Sequence, residues 1–393
     1  MSPASRLRLF YFLYYGGVGA NLPYLAAYLR GLGFSGEAIG TVQMLSPLVA
    51  APVALLWAAA ADRLGAPGRA LRLASLGSAI AAAFLPAART PLALAAVVLA
   101  QALAERAVVP LADAVTLEWT REQGRSYARI RVFGSLGFIA VAQGLGLALS
   151  ARGDRPGDAV VPVTIALCVA GYALATRRLP AAAATAVRPS ARDAAALLRD
   201  RRLLALLAAC AVHWAACAPF HLMFGVFVRD AGLPAAVTGL AMAVGVGAEV
   251  LALLAFPRLE RLAGTRGLLA AAFAATALRF ALLAGARGAA AIVLLQTLHA
   301  FTFGVFWGAS TRAMARLVPA PLRATGQALY AAVVFGGGNA VGYQLTGWGY
   351  DRLGGVGPLF GCAAVLEVVP LAAALAWRVK HAPAKKRLAA RPR

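Results

Sequence analysis

The sequence predicts an all-α, polytopic membrane protein of twelve transmembrane helices, arranged in two six-helix halves related by a parallel repeat. Three observations support this fold class: the hydropathy of the chain, the placement of its basic residues and an internal repeat. Of the 393 residues 61% are hydrophobic, and the mean hydropathy is +0.74. Soluble domains are nearer half apolar, so the net charge of +23 does not indicate a nucleic-acid-binding protein.

Twelve apolar blocks follow one another along the chain, and each is close to the roughly 20 residues that cross a bilayer as a helix. The first is expected to be a retained span, because no cleavage site of a signal peptide follows it. We place the blocks at residues 9–29, 38–61, 70–88, 91–117, 130–150, 159–178, 203–228, 234–256, 267–286, 289–315, 324–348 and 356–377.

The basic residues set the orientation of these spans. With both termini in the cytoplasm, 29 of the 38 Lys and Arg fall in cytoplasmic segments and 7 in external ones. Basic loops stay on the cytoplasmic side, so we expect a multi-pass protein of the cytoplasmic (inner) membrane with both termini inside. Residues 179–202 are predicted to be a cytoplasmic linker between six-helix bundles at 1–178 and 203–378, and residues 379–393 a basic tail that can contact lipid headgroups.

An internal repeat relates the two predicted bundles. Several residues recur at a nearly constant offset of 198 or 199 positions, which chance does not explain. The matched residues are Arg30 with Arg229, Gly33 with Gly232, Gly40 with Gly239, Asp62-Arg63 with Glu260-Arg261, and Arg125 with Arg323. Parallel repeats of six spans with a site between them define one large class of secondary transporters.

Four stretches carry a resemblance to a known family. AAADRLGAPGR (Ala59–Arg69) resembles the loop between spans two and three of the major facilitator superfamily, with Ala58 in place of the usual first glycine. Three more resemble the 3-phenylpropionate-permease-like branch, which is related to lactose permease and the nucleoside–proton symporters. They are YARIRVFGSLGFIA (Tyr127–Ala140), LHAFTFG (Leu298–Gly304) and RATGQALY (Arg323–Tyr330).

The resemblance covers the whole chain and implies proton-coupled uptake of a small organic solute by alternating access. It also implies a monomer. Within it, Asp62 and Arg63 and their repeat partners Glu260 and Arg261 are expected to take part in the conformational change. Two departures from the family pattern are Ala128, where glycine is usual, and Trp307, where a polar residue is common.

Three charges lie in the predicted fourth span. Ionisable residues at membrane depth are costly and normally face a partner or a cavity. Arg106 and Asp113 are seven residues apart and share a helix face, whereas Glu105 points elsewhere and is a candidate for proton coupling. Arg106 is predicted to bind an anionic substrate or to pair with a neighbouring carboxylate. Asp113 is predicted to pair with Arg131, with Arg129 nearby, in a contact that closes the inward gate or that only packs the helices.

The second predicted half holds Glu249, Arg279 and His299 in consecutive spans. A carboxylate, a histidine and an arginine within reach of one another suit proton coupling. We predict that Glu249 carries the proton, and that Arg279 and His299 tune it or bind substrate. The alternative for His299 is a neutral core histidine.

Further substrate contacts are predicted from polar and aromatic residues in spans rich in glycine or proline. Asn21 and Tyr24 flank Pro23 in the first span. His299, Phe303 and Trp307 share one helix face. Asn339 and Tyr343 share another, and aromatic walls of this kind suit a ring-shaped solute, plausibly an aromatic carboxylate, although packing alone would also explain them.

Several other functions are weighed against uptake. No nucleotide-binding loop is present, which excludes ATP-driven transport, and no polar constellation of an integral enzyme is found. Cys210, His213, Cys217 and His221 share a face, but they span about 16 Å at 1.5 Å per residue, so neither a metal nor a cofactor is predicted. His213 or His221 is instead a candidate cavity residue. The remaining alternatives are a sugar or nucleoside symporter, a proton-driven exporter of the multidrug antiporter type, a lipid flippase and a non-transporting sensor.

Overall fold

The computed structural model describes residues 2–63, 67–177, 179 and 191–376, and within these ranges the protein is helical and contains no strand. The helices before residue 178 form what we call the N-terminal set. They are α1 (Pro3–Gly31), α2 (Gly36–Leu48), α3 (Ala50–Arg63), α4 (Pro67–Ala83), α5 (Pro91–Glu105), α6 (Val108–Glu122), α7 (Ala128–Ala151) and α8 (Val160–Thr176).

A short helix, α9 (Ala191–Leu197), precedes the C-terminal set. The predicted tail at 379–393 and residues 180–190 of the predicted linker lie outside the described residues. The helices of the C-terminal set are α10 (Arg201–Ala216), α11 (Ala218–Asp230), α12 (Ala235–Gly285), α13 (Ala289–Leu294), α14 (Phe306–Leu317), α15 (Arg323–Tyr330), α16 (Asn339–Leu353), α17 (Val356–Leu366) and α18 (Val368–Ala376).

Eight of the described helical segments are long and apolar enough to cross a membrane, and α8 is apolar but shorter. Their outer surfaces carry large exposed apolar side chains, for example Leu92, Leu254 and Leu262 at 82%, 75% and 85% exposure. A water-soluble protein does not expose apolar surface on this scale. The apolar blocks of the sequence all fall on helices, and the helices extend past the blocks into the polar loops.

Proline residues account for the breaks inside four predicted spans. Proline has no N–H, so the carbonyl four residues earlier loses its helical partner. The breaks between α2 and α3, α5 and α6, α10 and α11, and α17 and α18 each lie within four residues of a proline. These prolines are Pro52, Pro110, Pro219 and Pro370.

The predicted loop between the eighth and ninth blocks is shorter than expected. Helix α12 continues through Pro257 and the loop positions as far as Gly264, where the backbone leaves helical geometry at φ 63° and ψ 168°. This left-handed conformation favours glycine. The element therefore consists of two helices that meet at Gly264.

The two sets meet along three helix pairs: α2 with α16, α7 with α12, and α1 with α11. Glycines permit the first contact, since a Cβ on Gly40 would lie only 2.5 Å from the carbonyl oxygen of Tyr343. We call the end of the bundle where α1 ends and α2 begins the distal end, and the opposite end the proximal end. These three pairs enclose the space between the sets.

Candidate functional site: a central cavity and a buried charge cluster

A cavity of about 420 Å³ lies between the two sets. Helices α1, α2, α5, α6 and α8 form most of its wall, and α11 and α16 close it from the other set. Its polar lining residues are Tyr14, Asn21, Gln43, Ser46, Gln101, Glu105, Arg106, Tyr172, His221, Asn339 and Tyr343. The cavity therefore brings together six of the predicted residues: Asn21, Glu105, Arg106, His221, Asn339 and Tyr343.

The charges of this cavity lie at the break between α5 and α6. Glu105 is the last residue of α5 and Arg106 caps it. Arg106 donates a short hydrogen bond to the Ser46 hydroxyl, and the Gln101 amide donates to the Glu105 carboxylate at 2.9 Å. A cation and an anion thus stand side by side on the wall, each held by a neutral polar neighbour.

The C-terminal set contributes neutral groups to the same cavity. Asn339 and Tyr343 lie one turn apart on α16, and His221 faces the cavity from α11. The Asn339 Oδ1 atom is buried without a hydrogen-bond partner among the described residues. Buried polar atoms are normally paired, so this amide has an acceptor position open to a ligand.

Sequence reasoning missed much of the neutral lining. Gln101 precedes Glu105 by four residues, a spacing that places both on one helix face. That signal was available in the sequence. Gln43, Ser46, Tyr14 and Tyr172 gave none, because their approach to the cavity depends on how different helices pack.

Tyr24 does not line the central cavity. Its side chain is only 2% exposed, and its hydroxyl donates to the Ala142 carbonyl at 2.7 Å. This contact joins α1 to α7 near the distal end. Its geometry is that of a packing residue at an interhelical contact.

The predicted grouping of Glu249, His299 and Arg279 is present as a second site, outside the residues that line the cavity. The His299 Nε2 atom lies 3.7 Å from Glu249 Oε2, and the Arg279 guanidinium donates to His299 Nδ1 at 3.2 Å. Arginine cannot accept a hydrogen bond. In this arrangement His299 is therefore neutral, with its proton on Nε2 toward Glu249.

Arg279 is fully buried, and its other contacts explain how the charge is held. The guanidinium donates to Gln296 Oε1 at 2.5 Å and to Thr302 Oγ1 at 3.3 Å. It also lies over the Phe220 ring, 4.1 Å from the ring centre. These groups hold two of the guanidinium nitrogens, and Nε is buried without a partner among the described residues. Arg279 does not line the central cavity, where the predicted anion ligand would lie.

The predicted aromatic wall forms a stack away from the cavity lining. Phe303 and Trp307 stack at 6.1 Å between ring centres, and Trp307 stacks on Phe335 at 5.4 Å. Trp307 is 41% exposed. The rings of Phe303, Trp307 and Phe335 form one continuous stack, but none of them lines the central cavity, which Arg106 lines.

No ion pair joins Asp113 to Arg131 among the described residues, so that predicted contact is corrected. Asp113 instead accepts from the Tyr11 hydroxyl at 2.6 Å and from the Tyr127 hydroxyl at 2.9 Å. Arg131 donates a short hydrogen bond to the Tyr15 hydroxyl. The Tyr11 ring lies 5.4 Å from the Arg131 guanidinium, and the hydroxyl of the same tyrosine donates to Asp113. Tyr11 therefore lies between the two charges.

Arg131 also reaches toward the C-terminal set. Its helix, α7, packs against α12, the helix that carries Glu249, so the two opposite charges can attract each other although no ion pair joins them among the described residues. Its neighbour Arg129 is exposed at the proximal end and lines a cleft there with Arg8 and Arg125. The two arginines therefore differ in surroundings, and only Arg131 faces the charge cluster.

The matched loop residues lie at the proximal end. Glu260 accepts from Arg312 at 3.0 Å and from Arg316 at 3.4 Å, both on α14 of its own set. Arg261 and Arg63 are exposed. Asp62 lies in α3, and its side chain is outside the described part of the chain.

A third buried group contains His213, which was predicted as an alternative to His221 for a cavity residue but does not line the central cavity. His213 Nδ1 lies 2.7 Å from Glu367 Oε1, and both side chains are fully buried. The other ring nitrogen faces the Thr302 carbonyl oxygen at 3.1 Å and Cys217 Sγ at 3.8 Å. The potential metal ligands His213, Cys217 and Glu367 have ligand atoms within 4.8 Å of one another. However, the imidazole contacts Glu367 through one ring nitrogen and Cys217 through the other. The arrangement is a hydrogen-bonded dyad rather than a convergent metal site.

Comparison with known proteins places this architecture in context. The model of the MFS_1 like family matches residues 4–360. A maltose permease of Geobacillus stearothermophilus is 30% identical over 92% of each chain. A probable 3-phenylpropionic acid transporter of Escherichia coli (strain K12) is 26% identical over 88% of this chain and 91% of its own length. The crystal structure of the nucleoside transporter NupG superposes with a TM-score of 0.84 at 20% identity, over 96% of this chain and 99% of that one, a likeness of fold.

Proposed function

This chain belongs to the MFS_1 like family, and we propose that it takes up a small, hydroxyl-rich neutral solute together with a proton. The family is one of membrane transporters, its relatives and structural neighbours here are transporters rather than enzymes, and the chain is a multi-pass membrane protein. The major facilitator resemblance of its motifs is confirmed.

The finer topology is part of the proposal. The N-terminal and C-terminal sets are taken as two six-span halves, divided at the linker, with both termini and the proximal end in the cytoplasm. The excess of basic residues in the proximal loops supports this orientation. The same orientation argument leads us to propose the inner membrane, with lipid around the protein, and the monomer is proposed from the major facilitator resemblance.

The charge balance of the central cavity carries the choice of solute. Arg106 and Glu105 are adjacent, so the cavity's cation has an anion beside it. A monocarboxylate that approached Arg106 would also meet Glu105, and like charges in a poorly solvated site repel. A neutral hydroxylated solute meets no such penalty, and it can both donate to Glu105 and accept from Arg106.

The neutral lining supports the same class of solute. Gln43, Gln101 and Asn339 offer amides, and His221 and Tyr343 offer further polar groups. Such a set suits the many donors and acceptors of a sugar or a nucleoside, because each hydroxyl both gives and takes a hydrogen bond. The 30% identical relative is a maltose permease, which agrees with this reading.

An aromatic carboxylate is the second candidate. Tyr14, Tyr172 and Tyr343 line the same cavity as Arg106, so a ring could stack on a tyrosine while its carboxylate meets the guanidinium. The relative described as a probable 3-phenylpropionic acid transporter supports this candidate. The Phe303–Trp307 stripe no longer does, because those rings do not line the cavity.

We assign proton coupling to Glu249. Its carboxylate is 19% exposed at the side chain and faces His299, while Arg131 of the other set interacts with it electrostatically. In the outward-facing state a proton neutralises Glu249, which weakens its attraction to Arg131 and frees the sets to rearrange. In the inward-facing state release of the proton restores that attraction. His299 and Arg279 fix the position of the carboxylate, and Glu105 is a second carboxylate that could share the task.

The remaining predicted gating residues keep that role as part of the proposal. Asp113 accepts from Tyr11 and Tyr127, and Glu260 accepts from Arg312 and Arg316, so each carboxylate joins neighbouring segments of its own set. Arg63, Arg129 and Arg261 are exposed at the proximal end, where the inward gate would open.

Solute counterflow tests the substrate assignment. Purified protein in liposomes would be loaded with maltose, a nucleoside or 3-phenylpropionate, and exchange of the labelled solute measured for wild type, Arg106→Gln and the control Arg287→Gln on an exposed loop. Loss of a hydrogen bond from a charged group costs about 1.5–3 kcal/mol. We expect exchange of a sugar or nucleoside, with its apparent affinity reduced about tenfold or more only in Arg106→Gln. Exchange of 3-phenylpropionate alone would favour the second candidate.

A further inference from the structure

Two carboxylates at the distal end cross between the sets and cap helices of the other set. Asp351 of α16 accepts from the backbone N–H of Gly36 at 2.9 Å and of Glu37 at 2.8 Å, the first two residues of α2. Asp154 accepts from the N–H of Ala235 at 3.0 Å, the first residue of α12. Ser150 completes the second cap by accepting from Ala236 at 3.0 Å.

The two caps occupy equivalent positions of the internal repeat. Asp154 and Asp351 are 197 residues apart, and the capped residues Gly36 and Ala235 are 199 apart. These offsets agree, within a residue or two, with those of the other matched residues. One device therefore occurs twice, once from the N-terminal set to the C-terminal set and once in the opposite direction.

Each cap satisfies groups that the helix cannot satisfy itself. The first N–H groups of a helix lack an intrahelical partner and carry partial positive charge. In α2 the local cap Ser35 bonds to the N–H of Ala38, which leaves Gly36 and Glu37 to Asp351. In α12 the cap position is Pro234, which makes no side-chain cap hydrogen bond, so the carboxylate of the other set supplies the acceptor.

Other contacts between the sets surround the caps at the same end. Arg229 donates to the Ala27 carbonyl at 2.8 Å, and the Arg30 guanidinium lies 4.9 Å from the centre of the Tyr350 ring. The caps are the charged, directional part of this group, because each carboxylate must lose its N–H partners if the sets separate at the distal end.

We propose that Asp154 and Asp351 are positioning residues of the transport cycle, which hold the distal end closed and release their helix N-termini when that end opens. The proposal rests on the alternating-access part of the proposed function and not on the identity of the solute or the coupling ion.

The test is a distance measurement between spin labels on the distal loops. Arg89 and Arg287 are exposed, one in each set. Both would be replaced by labelled cysteine in a Cys362→Ser background, since the other three cysteines are buried. Double electron–electron resonance would compare wild type with Asp351→Ala, Asp154→Ala and the double variant. The matched control is Asp158→Ala, because Asp158 pairs at the same end with Arg152 of its own set at 2.7 Å.

We expect the ratio of long to short distances to rise about tenfold in each single variant, given the strength of hydrogen bonds to charged groups, and further in the double variant. Asp154→Asn keeps an acceptor oxygen and should shift less than Asp154→Ala. A general loss of folding would instead broaden all distances and lower the unfolding temperature.

Distances in the single variants that match those of Asp158→Ala would overturn the proposal. If the double variant does not yield folded protein, the single variants and Asp154→Asn still decide the matter. Because no solute is added, a negative result in the distance measurement does not bear on the substrate assignment. Equally, a negative counterflow result does not bear on the role of the two caps.

Discussion

Arg279 shows how a single residue can be both costly and required. A charge removed from water is tolerated only when its partners replace the lost hydration. Here Gln296, Thr302 and His299 provide acceptors and Phe220 provides a ring face. The guanidinium in turn fixes the tautomer of His299, and through it the hydrogen that faces Glu249.

Arg279→Met should therefore be strongly destabilising. The substitution leaves Gln296 Oε1 and His299 Nδ1 as buried acceptors without a donor, and each such group costs about 1–3 kcal/mol. Thermal unfolding of the purified protein in detergent would show a free energy of unfolding lower by about 2 kcal/mol or more. Arg287→Met on an exposed loop is the control. Equal unfolding temperatures for the two variants would show that the Arg279 contacts contribute nothing net.

At the scale of the helix, two proline-linked breaks and one π-helical segment are connected by the side chain of His213. His213 contacts Glu367, at the break between α17 and α18, and Cys217, at the break between α10 and α11. Its ring also contacts the carbonyl of Thr302 in the π-helical segment Ala300–Val305. Three irregular helices are thus tied by one imidazole. Free backbone carbonyls at such breaks need partners, and His213 supplies one to Thr302.

Glu367→Gln and Glu367→Leu should differ sharply. Because His213 Nε2 faces a carbonyl, it carries a proton, and Nδ1 either shares a proton with Glu367 or accepts one. A glutamine amide can donate to Nδ1, so we expect a change in the free energy of unfolding below about 1 kcal/mol.

Leucine removes the partner altogether, and we expect a loss of about 1–3 kcal/mol. Thermal unfolding of both variants, with Cys362→Ser as an exposed control on α17, measures the difference. If glutamine is as damaging as leucine, the site requires a carboxylate charge, and His213 is an imidazolium.

At the scale of the whole molecule, the sequence predicts most of the architecture because bilayer thickness, charge asymmetry and repetition act on long segments. The apolar blocks and their helices coincide. The offset of 199 residues between Arg30 and Arg229 recurs between the capped residues Gly36 and Ala235, and the capping residues Asp154 and Asp351 are 197 apart. The sequence also singles out individual charges inside apolar blocks, and the structure has Arg279 fully buried and Glu249 partly buried beside His299, whereas their roles stay predictions.

The partners of those charges could not be predicted, because partners depend on the rotation and depth of helices far apart in sequence. Asp113 and Arg131 both lie beside Tyr11, yet they form no ion pair among the described residues, because tyrosines of α1 come between them. Phe303 and Trp307 share a helix face as predicted, but that face turns to Phe335 rather than to the cavity. The helical periodicity of a sequence specifies which residues share a helix face, but it does not specify which helix packs against that face.

The whole-molecule claim is that solute and proton cross together, with Glu249 as the carrier. The most direct measurement is acidification of liposomes that hold a trapped pH dye, for wild type and Glu249→Gln, on addition of the solute identified by counterflow. We predict that solute acidifies wild-type liposomes, whereas Glu249→Gln moves no protons but still exchanges solute. Proton movement that persists in Glu249→Gln, or solute uptake by wild type without acidification, would contradict the account.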